Sequence, residues 1–422
     1  MFAGAGAVGR IGRPGLSGRH GTSLLSGMTL SLDFMQPDTL DSRITFTRAS
    51  SATYTDASGV VQTAATNAPR WDYAGGVLRG LLIEEQRTNT LLWSSVFTNA
   101  VWSQGNVTLT PNQSGAPDGT ATFTRLAETA TTNSFYLLTT FTALPASTTV
   151  ALSLYARAQQ NRYLQLSLDD SAANGLFATF DLQTGTVSGA LSGRGAATLG
   201  TASIQPIGGG TYRCAITGSI NAGMNRVIFN PANTGNAGWL PSYAGNPANG
   251  LLIFGAHLEQ GAFPTSYIPT TSVSVTRAID VCQIPTNVSW FSGTSSSLLF
   301  ELNPLVVNNT YGGISDNAFG PNTSYFSNSA FVHMQTAIGS PLIANAVNKT
   351  CGVIVSSALA KCCNNGGGIA NAAITSAGQP GALRMAIGND PWSMSTAFGG
   401  YIRRVNYWNR ALSDAEMQQV TT

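Results

Sequence analysis

Side chains able to do chemistry are few in this sequence, and their spacing narrows what they can do. Three histidines, His20, His257 and His333, fall in separate segments, which leaves little material for a histidine metal site or a nucleophile–base arrangement. The five cysteines (Cys214, Cys282, Cys351, Cys362, Cys363) include no Cys-x-x-Cys pair, so neither a zinc ribbon nor a thiol redox motif is expected. A disulfide from Cys351 to Cys362 or Cys363 stays open, because spacing alone does not decide it. Glycoside hydrolysis needs two carboxylates about 5–10 Å apart in a cleft. Glu84 and Glu85 are neighbours on a predicted strand and point to opposite faces. Asp169 and Asp170 precede Ser171-Ala-Ala-Asn174-Gly175, which reads as a turn. No Gly-rich segment has the strand, phosphate loop and helix order of a nucleotide site. No enzyme is expected.

The chemistry that remains is recognition. A pyranose packs its C–H face on an aromatic ring while its hydroxyls bond Asn, Asp, Gln or Arg nearby. The stretch Asn233-Thr-Gly-Asn-Ala-Gly-Trp239-Leu-Pro-Ser-Tyr243-Ala-Gly-Asn246 offers that mixture, with Trp239, Tyr243 and Asn246 as candidate ligand groups. Its competing reading makes Trp239 a plug at one end of a β-sandwich. A second candidate runs from Asn308 through Tyr311 and Asp316 to Tyr325, and a third is Asn389-Asp-Pro-Trp392. Trp71, Tyr73 and Trp102 read as packing residues.

These groups sit in an unusual background. Of 422 residues only 21 are Lys or Arg and 19 Asp or Glu, which is 9% charged against about 25% in an average soluble domain. Gly, Ser, Thr, Asn and Ala fill the gap, so the hydrophobic fraction is an ordinary 43%. No stretch approaches the ~18 apolar residues of a membrane span, so no membrane insertion is expected. A net charge of +2 excludes a basic nucleic-acid binder. In residues 1–28, Gly9, Gly12, Gly15, Gly18 and Gly21 recur at a period of three, and Arg10, Arg13 and Arg19 are the only charges. Five triplets with one Pro are too few for a triple helix alone, and the plain reading of this stretch is a flexible arm. Strict glycine periodicity also suits close packing against a partner or two sister chains, which would make it an extended anchoring arm. The rest of the chain, with 18 bases and 19 acids, is nearly balanced. A neutral hydrogen-bonding surface follows, with little salt dependence in what it binds.

Short strands and turns must position the candidates. Val150, Leu152, Leu154 and Ala156 alternate with Ala151, Ser153, Tyr155 and Arg157, and Leu164, Leu166 and Leu168 with Gln165, Ser167 and Asp169. Such alternation means antiparallel sheets with one buried face, hence tandem β-sandwiches in an all-β protein. Phe180–Val187 reads as a hairpin, and 189–210 and 230–249 as long loops. Ser413-Asp-Ala-Glu416 is a capping box that opens a short helix closing one end of a sandwich. The expected division is 1–28 arm, 29–93 small β-rich domain, 94–281 first sandwich and 282–422 second sandwich.

Three strings carry a resemblance: Phe46-Thr-Arg-Ala-Ser-Ser-Ala-Thr-Tyr-Thr-Asp56, Asn67-Ala-Pro-Arg-Trp-Asp-Tyr73 and Gly80-Leu-Leu-Ile-Glu-Glu-Gln-Arg-Thr-Asn89. Together they resemble a signature of phage head-spike and tail-fibre proteins, a family also found in gene transfer agents. Trp102-Ser, Ala116-Pro-Asp-Gly-Thr120 and Gly255-Ala-His-Leu-Glu-Gln-Gly-Ala-Phe-Pro-Thr-Ser-Tyr-Ile-Pro-Thr270 resemble its middle domain, which is similar to carbohydrate-binding-module jelly rolls. The ending from Gly400 to Glu416 looks like the last strand and helix of a laminin-G or concanavalin-like sandwich. The likeness covers residues 30–285 and the end of the C-terminal domain, and leaves out the glycine triplets. It implies a jelly roll at 94–281 and a concanavalin-like sandwich at 282–422. Jelly-roll binding modules often carry structural Ca²⁺, which Asp169, Asp170 or Asp181 would help hold; no other cofactor is implied.

The reading that results is a virion-surface fibre or spike subunit, assembled in the host cytoplasm as a homotrimer. Residues 1–28 would bind a capsid or tail protein, and the sandwiches would touch host-surface polysaccharide. Two alternatives are a purely architectural virion protein and a polysaccharide depolymerase.

Overall fold

The computed structural model describes residues 26–422 except 38–39, 221–222, 293–294, 306–309, 317–322, 328–330, 334–335, 340–341, 357–358 and 375–380. The glycine triplets of the arm lie outside the described residues. Alternating apolar residues need a partner sheet, and between Ser103 and Gln260 they find one. Leu164, Leu166 and Leu168 are fully buried on one face of the strand Tyr163–Asp169. This strand lies between Gly175–Asp181 and Arg226–Ala232 in a six-stranded antiparallel sheet. Leu152, Leu154 and Ala156 of Val150–Ala158, in a second six-stranded sheet, share the same core. Each leucine so buried contributes roughly 1.5–3 kcal/mol.

The outward face of Val150–Ala158 is not exposed as simple alternation predicts. Ser153 and Tyr155 are 1% and 3% exposed. Tyr155 joins Phe123, Phe254, Ile207 and Tyr267 in a separate apolar cluster that walls the junction with the rest of the chain. Residues 189–210, expected as a loop, instead hold most of the strands Thr186–Arg194 and Ala197–Gly208. Small, largely exposed residues give these strands no apolar period to read.

The second sandwich takes strands from both ends of the chain. One of its sheets runs Ala370–Ala373, Leu359–Asn364, Asn348–Ser356, Ser296–Pro304, Gly400–Trp408, Val77–Ile83 and Trp71–Ala74, and Met28–Asp33 also pairs with Gly400–Trp408. The facing sheet includes Thr45–Thr47, Val281–Pro285, Arg384–Ile387 and Gly312–Ser315. Within residues 29–93 only Ala52–Thr55 and Val61–Ala64 pair with each other alone, and the remaining strands belong to sheets completed by later parts of the chain, which differs from the expected division. These strands are three to seven residues long, too short to enclose a core alone. The first sandwich is an insertion within the second, and the chain enters and leaves it through the paired strands Arg87–Asn89 and Val275–Arg277. Gly80 lets two strands of the second sandwich approach: its φ is +130°, and a Cβ there would meet the Ile402 carbonyl oxygen at 2.4 Å.

The helix Asp414–Thr421 opens on the predicted capping box, with the Glu416 amide donating to Ser413 Oγ and the Ser413 amide donating to Glu416 Oε2. It does not close a sandwich end. Met417 packs with Leu299, Val353, Cys363 and Trp408 on the outer face of the larger sheet. All five cysteines are buried and free. Cys351 and Cys363 are register partners, while Cys362 faces the main core on the opposite side. No described helix is long and apolar enough to cross a membrane.

Buried charge fixes the junction between the sandwiches. Arg70 donates to Glu84 Oε2 at 2.7 Å and to Asp280 Oδ2 at 2.5 Å, Arg48 donates to Asp280 Oδ1 at 3.1 Å, and Arg277 lies 3.1 Å from Glu84 Oε2. No side chain of the five is more than 1% exposed. Backbone and hydroxyl groups complete the set: Ser266 donates twice to Glu84, and the Arg48 and Arg70 guanidiniums also donate to the carbonyls of Ala65 and Thr53. Burial by itself would raise the Glu84 pKa, but Arg277, Arg70 and the Ser266 donors outweigh it and hold the carboxyl at about 2.

Two outcomes follow from this packing. Ser413→Ala removes one arm of the capping box and is expected to cost about 1 kcal/mol in urea denaturation. Glu84→Gln is expected to cost about 3–5 kcal/mol, because it leaves Arg277 without its facing carboxylate and Arg70 with Asp280 alone in the interior. Since the folded pKa of Glu84 lies below its ordinary 4.5, its stabilisation is complete above that pH and is lost as pH falls toward 2. The wild-type Tm should therefore fall more steeply across that window than the Tm of the Gln variant.

Candidate functional site

The structure scatters the ligand groups expected from sequence. Trp239 lies on a loop that crosses the outer face of the first sandwich, where Gln165 bonds both the Gly238 carbonyl and the Leu240 amide, at 3.1 and 2.9 Å. Its ring is half-buried, and the Arg194 guanidinium sits 3.5 Å from its centroid. The tryptophan thus covers a sheet face and does not plug a sandwich end. Tyr243 packs on Phe135, with centroids 4.9 Å apart, and its hydroxyl donates to the buried carboxylate of Glu128 at 2.8 Å. Burial first, and then Glu128, push this hydroxyl far above its usual pKa. The Asn246 amide donates to the other Glu128 oxygen at 2.9 Å, and the Asn246 side-chain oxygen accepts from Ala248. Glu128 therefore ties the loop down, and Tyr243 is a packing residue.

Tyr311 is not a surface group. It is 2% exposed and stacked on Phe326 in the core of the second sandwich, with centroids 5.8 Å apart. Sequence placed it on a loop because Asn309, Thr310 and the glycines after it read as turn residues; Asn308 and Asn309 lie outside the described residues. Trp392 is half-buried and edge-on to Tyr325 at 5.1 Å, in a different sandwich from Trp239. Trp71 and Trp102 are buried, as expected of packing residues.

The carboxylates proposed for Ca²⁺ are already committed. Asp169 receives a two-pronged contact from Arg226 at 2.7 and 2.9 Å, Asp181 one from Arg162 at 2.8 and 2.5 Å, and Asp170 caps its own turn through Ala172 and Asn174. Each is neutralised or closed by protein donors, and no cluster of three metal-ligating side chains occurs among the described residues. This donor set does not fit a calcium ion. Glu84 and Glu85 diverge as predicted: Glu84 lies in the buried network, and Glu85 pairs with Arg87 near the surface.

A cleft of about 700 Å³ opens where the two sandwiches meet. Tyr155, Arg213 and Ser203 come from the outer face of the first sandwich, and Arg79, Tyr401 and Asp72 from the second. Phe263 and Ser266, on the stretch leading out of the insertion, complete the wall. Arg213 donates to Ser153 Oγ at 2.9 Å with its guanidinium 5.4 Å from the Tyr155 ring centroid, and Arg79 lies 4.3 Å from the Tyr401 ring centroid. Tyr401 donates its hydroxyl to Asp72 at 2.9 Å. Burial raises the Asp72 pKa against the opposing pull of the Thr55 amide and the Tyr401 hydroxyl. Burial also raises Tyr155 and Tyr401, so both phenols remain protonated donors. The floor and walls thus combine aromatic rings, hydroxyls and guanidiniums in a recess, the composition of a polar-ligand site at a domain boundary.

Sequence reasoning missed this cleft because its residues come from at least five separated stretches. The available signal was faint: Tyr155 and Arg213 occupy the outward positions of otherwise apolar strands, where a solvated face would carry small polar residues.

No family model matches the chain, and no curated protein sequence matches it. Among solved structures, the chain is similar to CBM40 of the Ruminococcus gnavus IT-sialidase bound to α2,3-sialyllactose, at 16% identity and TM-score 0.27, covering 31% of this chain and 83% of that one. It is similar to domain 4 of AbnA, a GH43 extracellular arabinanase from Geobacillus stearothermophilus in complex with arabinotriose, at 12% identity and TM-score 0.27, covering 39% and 83%. It is also similar to domains LG4-5 of the mouse laminin alpha1 chain, at 11% identity and TM-score 0.22, covering 67% and 90%. All three are weak likenesses.

Proposed function

We propose that the chain is a virion-associated fibre or spike subunit that binds host-surface glycans in the cleft between its sandwiches. The observation that carries the binding reading is the cleft itself: about 700 Å³, walled by Tyr155, Tyr401, Arg79 and Arg213, and fixed by a buried ion network. The virion role rests on the signature strings at 46–56, 67–73 and 80–89, and the homotrimer on the glycine triplets of residues 1–28, which would also engage a capsid or tail protein. Weak single sites would gain from three copies, because linked sites raise effective concentration. Catalysis is not part of the reading. The two carboxylates at the cleft, Asp72 and Glu84, already accept protein donors, and Glu84 is shared between two arginines.

Ser203 is exposed on the cleft wall. Ser203→Trp should fill the recess without touching the core. Binding of the full chain to host cells or purified surface polysaccharide should fall about tenfold or more, equivalent to about 1.4 kcal/mol, with Tm unchanged. Full adsorption by this variant would sink the glycan reading in favour of a purely architectural protein. New reducing ends on incubation with the polysaccharide would show a depolymerase instead.

A further inference from the structure

The charges at the cleft do not balance. Arg79 and Arg213 are the basic residues lining it, and neither has a carboxylate within ion-pairing distance among the described residues. The fully buried guanidiniums of Arg48, Arg70 and Arg277 are paired with Asp280 and Glu84, and Arg226 with Asp169, whereas the half-buried Arg384 and Arg194 instead donate to carbonyls or stack on Trp239. The acidic residues lining the cleft are Asp72 and Glu84. Glu84 is held by Arg70 and Arg277, and Asp72 is shielded behind the Tyr401 hydroxyl and the Thr55 amide. The cleft therefore presents two guanidiniums without a direct ion-pair partner, with Asp72 acting on Arg79 only at longer range. Beside them stands the hydroxyl of Tyr155, a residue 3% exposed, with no hydrogen-bond partner among the described residues.

Resting on the glycan reading above, we propose that the cleft selects an acidic sugar, with the carboxylate of a uronic or sialic acid residue received by Arg79 and Arg213. A planar guanidinium matches a carboxylate with two parallel hydrogen bonds, and such charge-assisted bonds are about twice as strong as neutral ones. Each guanidinium is also partly oriented beforehand, Arg79 by the Tyr401 ring and Arg213 by Ser153 and Tyr155. The Tyr155 hydroxyl supplies a further donor, while Ser203, Gln205 and Asn345 on the wall serve the neutral hydroxyls of the sugar. Because the two charges are recessed and short-range, salt screens them less than exposed pairs. The weak salt dependence expected from the neutral surface is retained.

The test uses the full chain and a panel of glucuronate- and sialate-containing oligosaccharides, each beside its carboxyl-reduced counterpart, with affinity read by calorimetry and folding by Tm. The acidic member of a pair should bind about tenfold or more tightly than its reduced form. Arg79→Gln should abolish that difference, and Arg79→Lys should restore part of it, since the charge returns without the fork. Arg213→Gln should act like Arg79→Gln; if it fails to fold, the Arg79 pair decides alone. Equal binding of acidic and reduced sugars overturns the acidic assignment and leaves glycan binding standing. Binding of neither overturns both.

Discussion

Five ionised side chains buried at one point hold this molecule in its arrangement. Taking an ion out of water costs several kcal/mol even after relaxation, so the group is tolerable only because its members face one another and carry further donors and acceptors. Arg70 is the hub, with Glu84 on one side and Asp280 on the other. Those three residues, together with Arg48, Arg277 and Ser266, come from stretches up to 232 positions apart, as in the Arg48–Asp280 pair. None of them can be satisfied until strands of the second sandwich and the exit from the first have met. The network acts as a condition on assembly, and it makes a junction between two sandwiches into a fixed geometry. The cleft inherits that rigidity, because Thr53, Asp72, Glu84 and Ser266 belong both to its wall and to the network or its immediate neighbours.

Much of the fold was legible before any coordinates. Period-two alternation at Val150–Ala156 and Leu164–Leu168 placed two core strands correctly, and Ser413 and Glu416 announced the helix in both arms of its capping box. These are local signals, written within a few residues of the element they specify. The strands within 189–210 were invisible because their neighbours are Gly, Ser, Ala and Thr on exposed edges, where no burial imposes a pattern. The insertion was invisible for a different reason. Which strand pairs with Gly400–Trp408 depends on contacts more than 300 positions away, and nothing near Leu81 encodes that choice.

The candidate sites divide along the same line. Looking for aromatic residues beside Asn and Gly finds loops, and it found Trp239 and Trp392, but it also gathered Tyr311, whose ring the core needs. The residues that form the cleft are unremarkable one at a time. Arg79 sits in a strand of the second sandwich and Arg213 in one of the first, and only the ion network brings them to a shared recess. The low charge content thereby takes on a definite role. With only 9% charged residues, most acids and bases among the described residues are in explicit ion pairs, and Arg79 and Arg213 are among the bases left to other contacts.

The pairing of Met28–Asp33 with Gly400–Trp408 has a mechanical consequence. Met28 lies opposite Trp408 and Asp33 opposite Arg404, so the chain enters the first of these strands and leaves the second at the same end of the sheet, and the helix Asp414–Thr421 that follows packs back on the sheet's outer face. Tension applied between Met28 and Trp408 loads this pair in a peeling direction, where hydrogen bonds perpendicular to the strands part in succession rather than together. The inserted sandwich, entered and left through Arg87–Asn89 and Val275–Arg277, lies outside that line of force. A pull between Met28 and Trp408 opens the terminal strand pair while leaving the inserted sandwich unloaded.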